Sequence, residues 1–272
     1  MVVVHTDVSP RHGMVQTPGL RLSSLDFEGR GLPTILLHGV TGTAWSWIEV
    51  GAGLRDCARP LAVNLRGHGD SQWSAGHQYA TDDHVGDVHA VALALGWREV
   101  DVVGSSWGGL IGIMLAVAYP SLVRRLVVVD TPPSFEQAET DVPRGPASFR
   151  SHPEIVEALR GVYRHADGRL LETLAMIETR PGDGGLLYRK HDPYFLERWP
   201  FRRDNLWKHL EALPQPTLVV RAERSHRLDL PTAERMVAAL PKGRLASIPD
   251  SGHGVPVDNP RALTEAIRGA LS

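Results

Sequence analysis

The sequence predicts an α/β protein with a mostly parallel central sheet flanked by helices and a helical cap inserted between two of its strands. Three observations predict it. Apolar β-type runs alternate with helix-length segments, the alternation stops over residues 132–213, and one strand-to-helix junction carries a Gly-x-Ser-x-Gly turn. Parallel neighbours need a crossover long enough to return the chain to the same end of the sheet, and a helix supplies it.

The β-type runs are 20–27, 34–37, 61–64, 100–103, 126–129, 217–220 and 244–248. The run 100–103 is apolar except for Asp101, as a strand covered on both faces should be. Helical segments are expected at 44–54, 81–95, 107–119, 231–240 and 260–271. Pro120 ends the third of these, while Pro231 and Pro260 suit the first turn of their helices, where no N–H is missed. Asp258 and Asn259 precede Pro260 as cap candidates.

These runs assign residues 1–131 and 214–272 to one core domain and 132–213 to the cap. Pro132-Pro133 opens the cap, short helices are expected near 154–163, 170–177 and 205–212, and Pro181-Gly182-Asp183-Gly184-Gly185 reads as a turn. The cap holds Phe135, Phe149, Tyr163, Tyr188, Tyr194, Phe195, Trp199, Phe201 and Trp207. Such residues serve either as cap core or as the wall of an apolar pocket.

Composition narrows the partners. The 272 residues, 42% of them hydrophobic, suffice for a large core, and 29 basic against 31 acidic residues leave a net charge of −2. That balance offers no general attraction for nucleic acid or anionic membrane. A lone cysteine, Cys57, rules out an internal disulfide. The N-terminus lacks a basic and apolar leader pattern and no apolar stretch reaches membrane-spanning length, so a cytoplasmic protein is expected. Thirteen histidines show no zinc-type spacing, so neither metal nor other cofactor is expected. The expected partner is a small hydrophobic ester, lactone or ketone, with a homodimer as the assembly considered.

The turn Gly104-Ser105-Ser106-Trp107-Gly108-Gly109 reads as a nucleophile elbow. Small residues let the chain pass from strand to helix in one strained turn, which thrusts Ser106 outward at a helix N-terminus. The base expected for it is His253, in the glycine-flanked loop Asp250-Ser251-Gly252-His253-Gly254 after the last strand. The glycine-rich bend after strand 34–37 brings the N–H of Val40 beside that of Trp107 as a two-donor oxyanion hole. His38 is assigned to turn geometry, and His12, His152, His165 and His191 to the surface.

These pieces together resemble the α/β-hydrolase fold superfamily, in its capped serine-hydrolase subgroup. The resemblance rests on His38-Gly39-Val40-Thr41-Gly42, Asn64-Leu65-Arg66-Gly67-His68-Gly69-Asp70-Ser71, Gly104-Ser105-Ser106-Trp107-Gly108-Gly109 and Ser251-Gly252-His253, in the superfamily's order. It implies scaffold roles for Arg66 and His68, and Asn64 departs from the aspartate common in that loop. It also implies an acid after strand 217–220, where Ser225 stands instead. Some relatives carry the acid after the preceding strand, which here ends in Asp130. Asp130 is therefore the expected third member, with Glu223 and Asp229 in reserve.

A serine at the elbow, rather than the aspartate of epoxide hydrolases and haloalkane dehalogenases, implies acyl transfer to water. The expected activity is hydrolysis of a carboxylic ester or lactone of a hydrophobic small molecule, in a pocket walled by Trp45 and Trp199. The alternatives are a carbon-carbon bond hydrolase of a diketone-type substrate and a ligand-binding receptor on a hydrolase scaffold.

Overall fold

Eight strands build the main sheet of the computed structural model, which describes residues 9–134, 145–199, 201 and 204–272. They are β1 (Arg11–Gln16), β2 (Arg21–Asp26), β3 (Pro33–Leu37), β4 (Arg59–Val63), β5 (Val100–Ser105), β6 (Val123–Val129), β10 (Thr217–Ala222) and β11 (Gly243–Ile248), ordered β1-β2-β4-β3-β5-β6-β10-β11. β2 runs antiparallel to both β1 and β4, and the remaining neighbours are parallel. The sequence reading does not anticipate β1. Its residues are mostly exposed, so an edge strand of this kind leaves little apolar period to detect.

Alternate residues of each strand feed two cores. Ile35, Leu37, Val102, Val128 and Val219 face one side with helices α2 (Thr81–Ala94), α3 (Trp107–Ala118) and α8 (Leu230–Ala239). Leu36, Val103, Val127, Val129 and Val220 face the other with α1 (Ile48–Gly53) and α10 (Pro260–Leu271). Both faces are apolar because both are covered. Asp101 is tolerated in β5 because Arg124 grips its carboxylate at 2.9 and 2.6 Å.

The predicted helix 44–54 is two pieces, a 3₁₀ turn at Ala44–Trp47 followed by α1. Thr43 caps the first piece: its hydroxyl accepts the Trp45 N–H at 3.2 Å and its carbonyl accepts the Ser46 hydroxyl at 2.8 Å. Between β6 and β10 the chain forms α4 (His152–Val162), α5 (Gly168–Ile177), α6 (Tyr194–Glu197) and α7 (Trp207–Glu211). It also forms a small antiparallel sheet of β7 (Ser148–Phe149), β9 (Leu187–Arg189) and β8 (Thr179–Pro181). The segment between β6 and β10 thus combines short helices with short strands. Its glycine-rich turn joins β8 to β9, with Gly184 and Gly185 at φ 66° and 74°, a conformation that favours glycine. Phe135 and the first eight residues lie outside the described residues. A last short helix, α9 (Val255–Asp258), links the loop after β11 to α10. Among the described residues no helix is long and apolar enough to cross a membrane.

Candidate active site

The register of the sheet sets the site. Ser105 on β5 pairs with Val129 on β6, so the next residues, Ser106 and Asp130, leave neighbouring strands side by side at the same edge. Each has a positive φ, 53° at Ser106 and 50° at Asp130, and each is pinned through its own N–H. Ser106 donates to the Val129 carbonyl at 2.9 Å and Asp130 to the Val220 carbonyl at 2.8 Å. Strained main chain of this sort persists only where its surroundings enforce it.

Glycine makes the elbow sterically possible. A Cβ at Gly104 would stand 2.1 Å from the Gly108 carbonyl oxygen, and one at Gly108 would stand 2.4 Å from that of Leu37. The bend after β3 lies directly on the serine, since a Cβ at Gly39 would fall 2.9 Å from Ser106 Cβ.

His253 reaches this edge from beyond β11. Its Nε2 lies 3.0 Å from Ser106 Oγ and its Nδ1 lies 2.8 Å from Asp130 Oδ2. The other Asp130 oxygen accepts the Ala222 N–H at 3.0 Å. Asp130 is fully buried, whereas the imidazole keeps 32% of its surface. An Nδ1–H donated to Asp130 leaves Nε2 free to accept the serine proton. Glu223 and Asp229 stand elsewhere: both are exposed, and Asp229 caps α8 by accepting the Thr232 N–H at 2.8 Å.

Val40 is half-buried on the bend and Trp107 opens α3. Among the described residues neither N–H has a protein acceptor, so both remain available. The Trp107 ring is buried, and its Nε1–H donates to the Thr81 hydroxyl at 3.1 Å, while that hydroxyl donates to the Asp204 carboxylate.

His38 and His68 brace the bend. The N–H groups of Leu65 and Thr41 donate to their Nε2 atoms at 3.0 and 3.2 Å, while their Nδ1 atoms donate to the carbonyls of Gly39 and Arg66. Burial pushes the His38 pKa down to about 4, which keeps the ring neutral. Asn64, in the position noted as a departure, accepts the Ala44 N–H at 2.7 Å and donates to the Ser23 hydroxyl at 2.8 Å. Arg66 forks onto Asp87 at 2.6 and 2.7 Å.

Trp45 and Trp199 are both half-buried but pack on different cores, Trp199 beside Phe201 with ring centres 5.2 Å apart. Phe149, Phe195 and Phe201 are buried core residues. His191, read from sequence as a surface residue, is 5% exposed and packs near His68, because its β-bridge to His68 draws it inside.

Three carboxylates near the site escaped the sequence reading. Glu178, at the end of α5, accepts the Thr43 hydroxyl at 2.6 Å, and burial raises its pKa. Asp204 holds Thr81. Asp258 holds both Gly252 and His165. The only signal for Asp258 was its place before Pro260, where it reads as a helix cap.

Comparison with known proteins agrees with this architecture. A family model for the alpha/beta hydrolase fold matches residues 33–158. The esterase Rv0045c of Mycobacterium tuberculosis is 31% identical over 92% of this chain and 86% of its own, and its crystal structure superposes with a TM-score of 0.79, covering 96% of this chain and 91% of that one. The 3-hydroxybutyrate-oligomer hydrolase of Cupriavidus necator is 29% identical over 95% of this chain and 97% of its own. The 2-hydroxymuconate semialdehyde hydrolase of a Pseudomonas species is 27% identical over 93% and 91%. With a relative 31% identical over almost the whole chain and the family match on residues 33–158, this protein belongs to the α/β-hydrolase fold family and is a hydrolase of that fold.

Proposed function

We propose that this protein hydrolyses a carboxylic ester or lactone of a hydrophobic small molecule through an acyl-enzyme on Ser106. The observation that carries this reading is the hydrogen-bonded chain from Asp130 through His253 to Ser106. His253 Nε2 takes the Ser106 proton as Oγ attacks the acyl carbon. The N–H groups of Val40 and Trp107 receive the developing oxyanion, at the positive end of α3. Collapse expels the alkoxide, which takes the proton from His253, and water activated by the same imidazole then releases the acid. Asp130 fixes the Nδ1–H tautomer and stabilises the imidazolium.

Trp45 and Trp199 are proposed as pocket walls. Two relatives support the ester reading by name, one an esterase and one a hydrolase of 3-hydroxybutyrate oligomers. A second reading, cleavage of a carbon-carbon bond next to a ketone, is favoured by the similarity to 2-hydroxymuconate semialdehyde hydrolase. A receptor reading draws support only from Ser225 standing where an acid is expected, and the contact of Asp130 with His253 at 2.8 Å weighs against it.

The test is labelling with a fluorophosphonate probe followed by peptide mass spectrometry. Wild type is expected to label at Ser106, and Ser106→Ala and His253→Ala to lose that label. A folded wild type that stays unlabelled would overturn the reading. Product analysis on esters, lactones and diketones then separates the two chemistries, because only the first two yield an alcohol.

A further inference from the structure

His253 sits between two glycines, and that is a liability for a group that must hold an imidazole to within a fraction of an ångström. Gly252 and Gly254 give the loop no stiffness of its own, so alignment has to come from ties to its surroundings. Main-chain bonds hold the Gly254 carbonyl to α9 and the Ser251 carbonyl to the Arg224 N–H, and two further ties flank the histidine. On one side the Gly252 N–H donates to Asp258 Oδ2 at 2.8 Å. On the other the Tyr163 ring lies against Gly254, where a Cβ would stand 2.2 Å from Tyr163 Cδ1.

Both ties lead to one place, the turn between α4 and α5 in the insertion. Tyr163 ends α4, and two residues later the His165 N–H donates to the second Asp258 oxygen at 3.0 Å. Asp258 is 7% exposed and both of its oxygens are occupied, one by the histidine loop and one by the insertion. The serine has no comparable dependence, since Ser106 is fixed by β5, β6 and the bend after β3.

We propose that Asp258 is a positioning residue that couples the insertion to the catalytic histidine: by bridging the N–H groups of Gly252 and His165 it aligns His253 with Ser106 only while the α4–α5 turn is seated. This inference rests on the serine-hydrolase reading above. A displacement of about 1 Å in a reacting group costs on the order of 100-fold in rate, so loosening this bridge should be visible in the chemistry before it is visible in substrate binding.

The experiment compares fluorophosphonate labelling rates and steady-state constants for wild type, Asp258→Asn, Tyr163→Leu and Asp101→Asn. The last is a stability control, because Asp101 is also buried and doubly bonded, to Arg124, but at the opposite end of β5. Asp258→Asn keeps the shape and one acceptor, and is expected to label about 10- to 100-fold more slowly, with kcat falling in step and KM within about twofold. Tyr163→Leu leaves every hydrogen bond of Asp258 in place, and is expected to slow labelling by about threefold or more. It decides the matter if Asp258→Asn does not fold. Asp101→Asn is expected to lose thermal stability while labelling at the wild-type rate. Wild-type labelling in both site variants overturns the proposal, as does an equal slowing in Asp101→Asn. An unlabelled wild type instead overturns the underlying hydrolase reading.

Discussion

The Ala222 N–H donates to Asp130 Oδ1 at 3.0 Å while the other oxygen of that carboxylate faces His253. Ala222 is the last residue of β10, the strand after which the family resemblance placed the acid. Here β10 supports a carboxylate at the end of its neighbour β6 instead. Asp130→Asn is expected to turn an amide N–H toward His253 Nδ1, favour the Nε2–H tautomer and deprive Ser106 of its base. The expected loss in kcat is about 10³- to 10⁴-fold, with Glu223→Gln and Asp229→Asn near wild type. Stopped-flow ester hydrolysis checks this, and equal rates in all three variants would contradict it.

Gly39→Ala is expected to hurt activity more than stability. Its new Cβ meets a side-chain atom, Ser106 Cβ, at 2.9 Å, whereas that of Gly108→Ala meets the Leu37 main chain at 2.4 Å. The first pushes the nucleophile, and the second pushes a buried strand. Gly39→Ala should therefore lose about tenfold or more in kcat with a smaller drop in Tm than Gly108→Ala. Calorimetry and kinetics on both variants give the comparison.

Thr81→Val is a test of the polar chain behind the elbow. It strips the Trp107 indole N–H of its acceptor and the Asp204 carboxylate of its donor, and burial already raises the Asp204 pKa. Each stranded group costs about 1–3 kcal/mol, so Tm should fall by several degrees, and Thr81→Ser should restore most of it. A Tm unchanged in the valine variant would show that water replaces the hydroxyl at no cost.

Acid should destabilise the fold through its buried imidazoles. Burial lowers the pKa of His38 and His191 to about 4, and lowers those of His68 and His84 well below 6.5. The unfolded chain binds these protons below pH 6.5 and the folded chain refuses them, so the stability they contribute is full above that pH and is lost as pH falls toward 4. Each group adds a slope of about 1.4 kcal/mol per pH unit within the window. Urea unfolding at pH 7, 6 and 5 should show a slope steeper than one group. His84→Leu should flatten it by about one proton, since among the described residues neither ring nitrogen of His84 has a hydrogen-bond partner. A stability independent of pH over this range would contradict the assignment.

The local devices of this protein are legible in the chain because each is set by neighbouring residues. The elbow needs small residues around Ser106, the crossovers need apolar runs alternating with helical ones, and the histidine loop needs its flanking glycines. From these the sequence by itself determined the fold class and singled out Ser106 and His253 as the candidate nucleophile and base. What only the tertiary structure decided are the contacts between distant segments. Asp130 and His253 are 123 residues apart, and Glu178 and Thr43 are 135 apart. Whether such groups meet depends on strand order and register, which bring β6 beside β5 and β10, and on where the insertion settles. Asp258 reads in sequence as a helix cap and becomes a bridge only because folding places the α4–α5 turn against it. A carboxylate's neighbours along the chain set its local conformation, but the donors it satisfies are those that packing delivers.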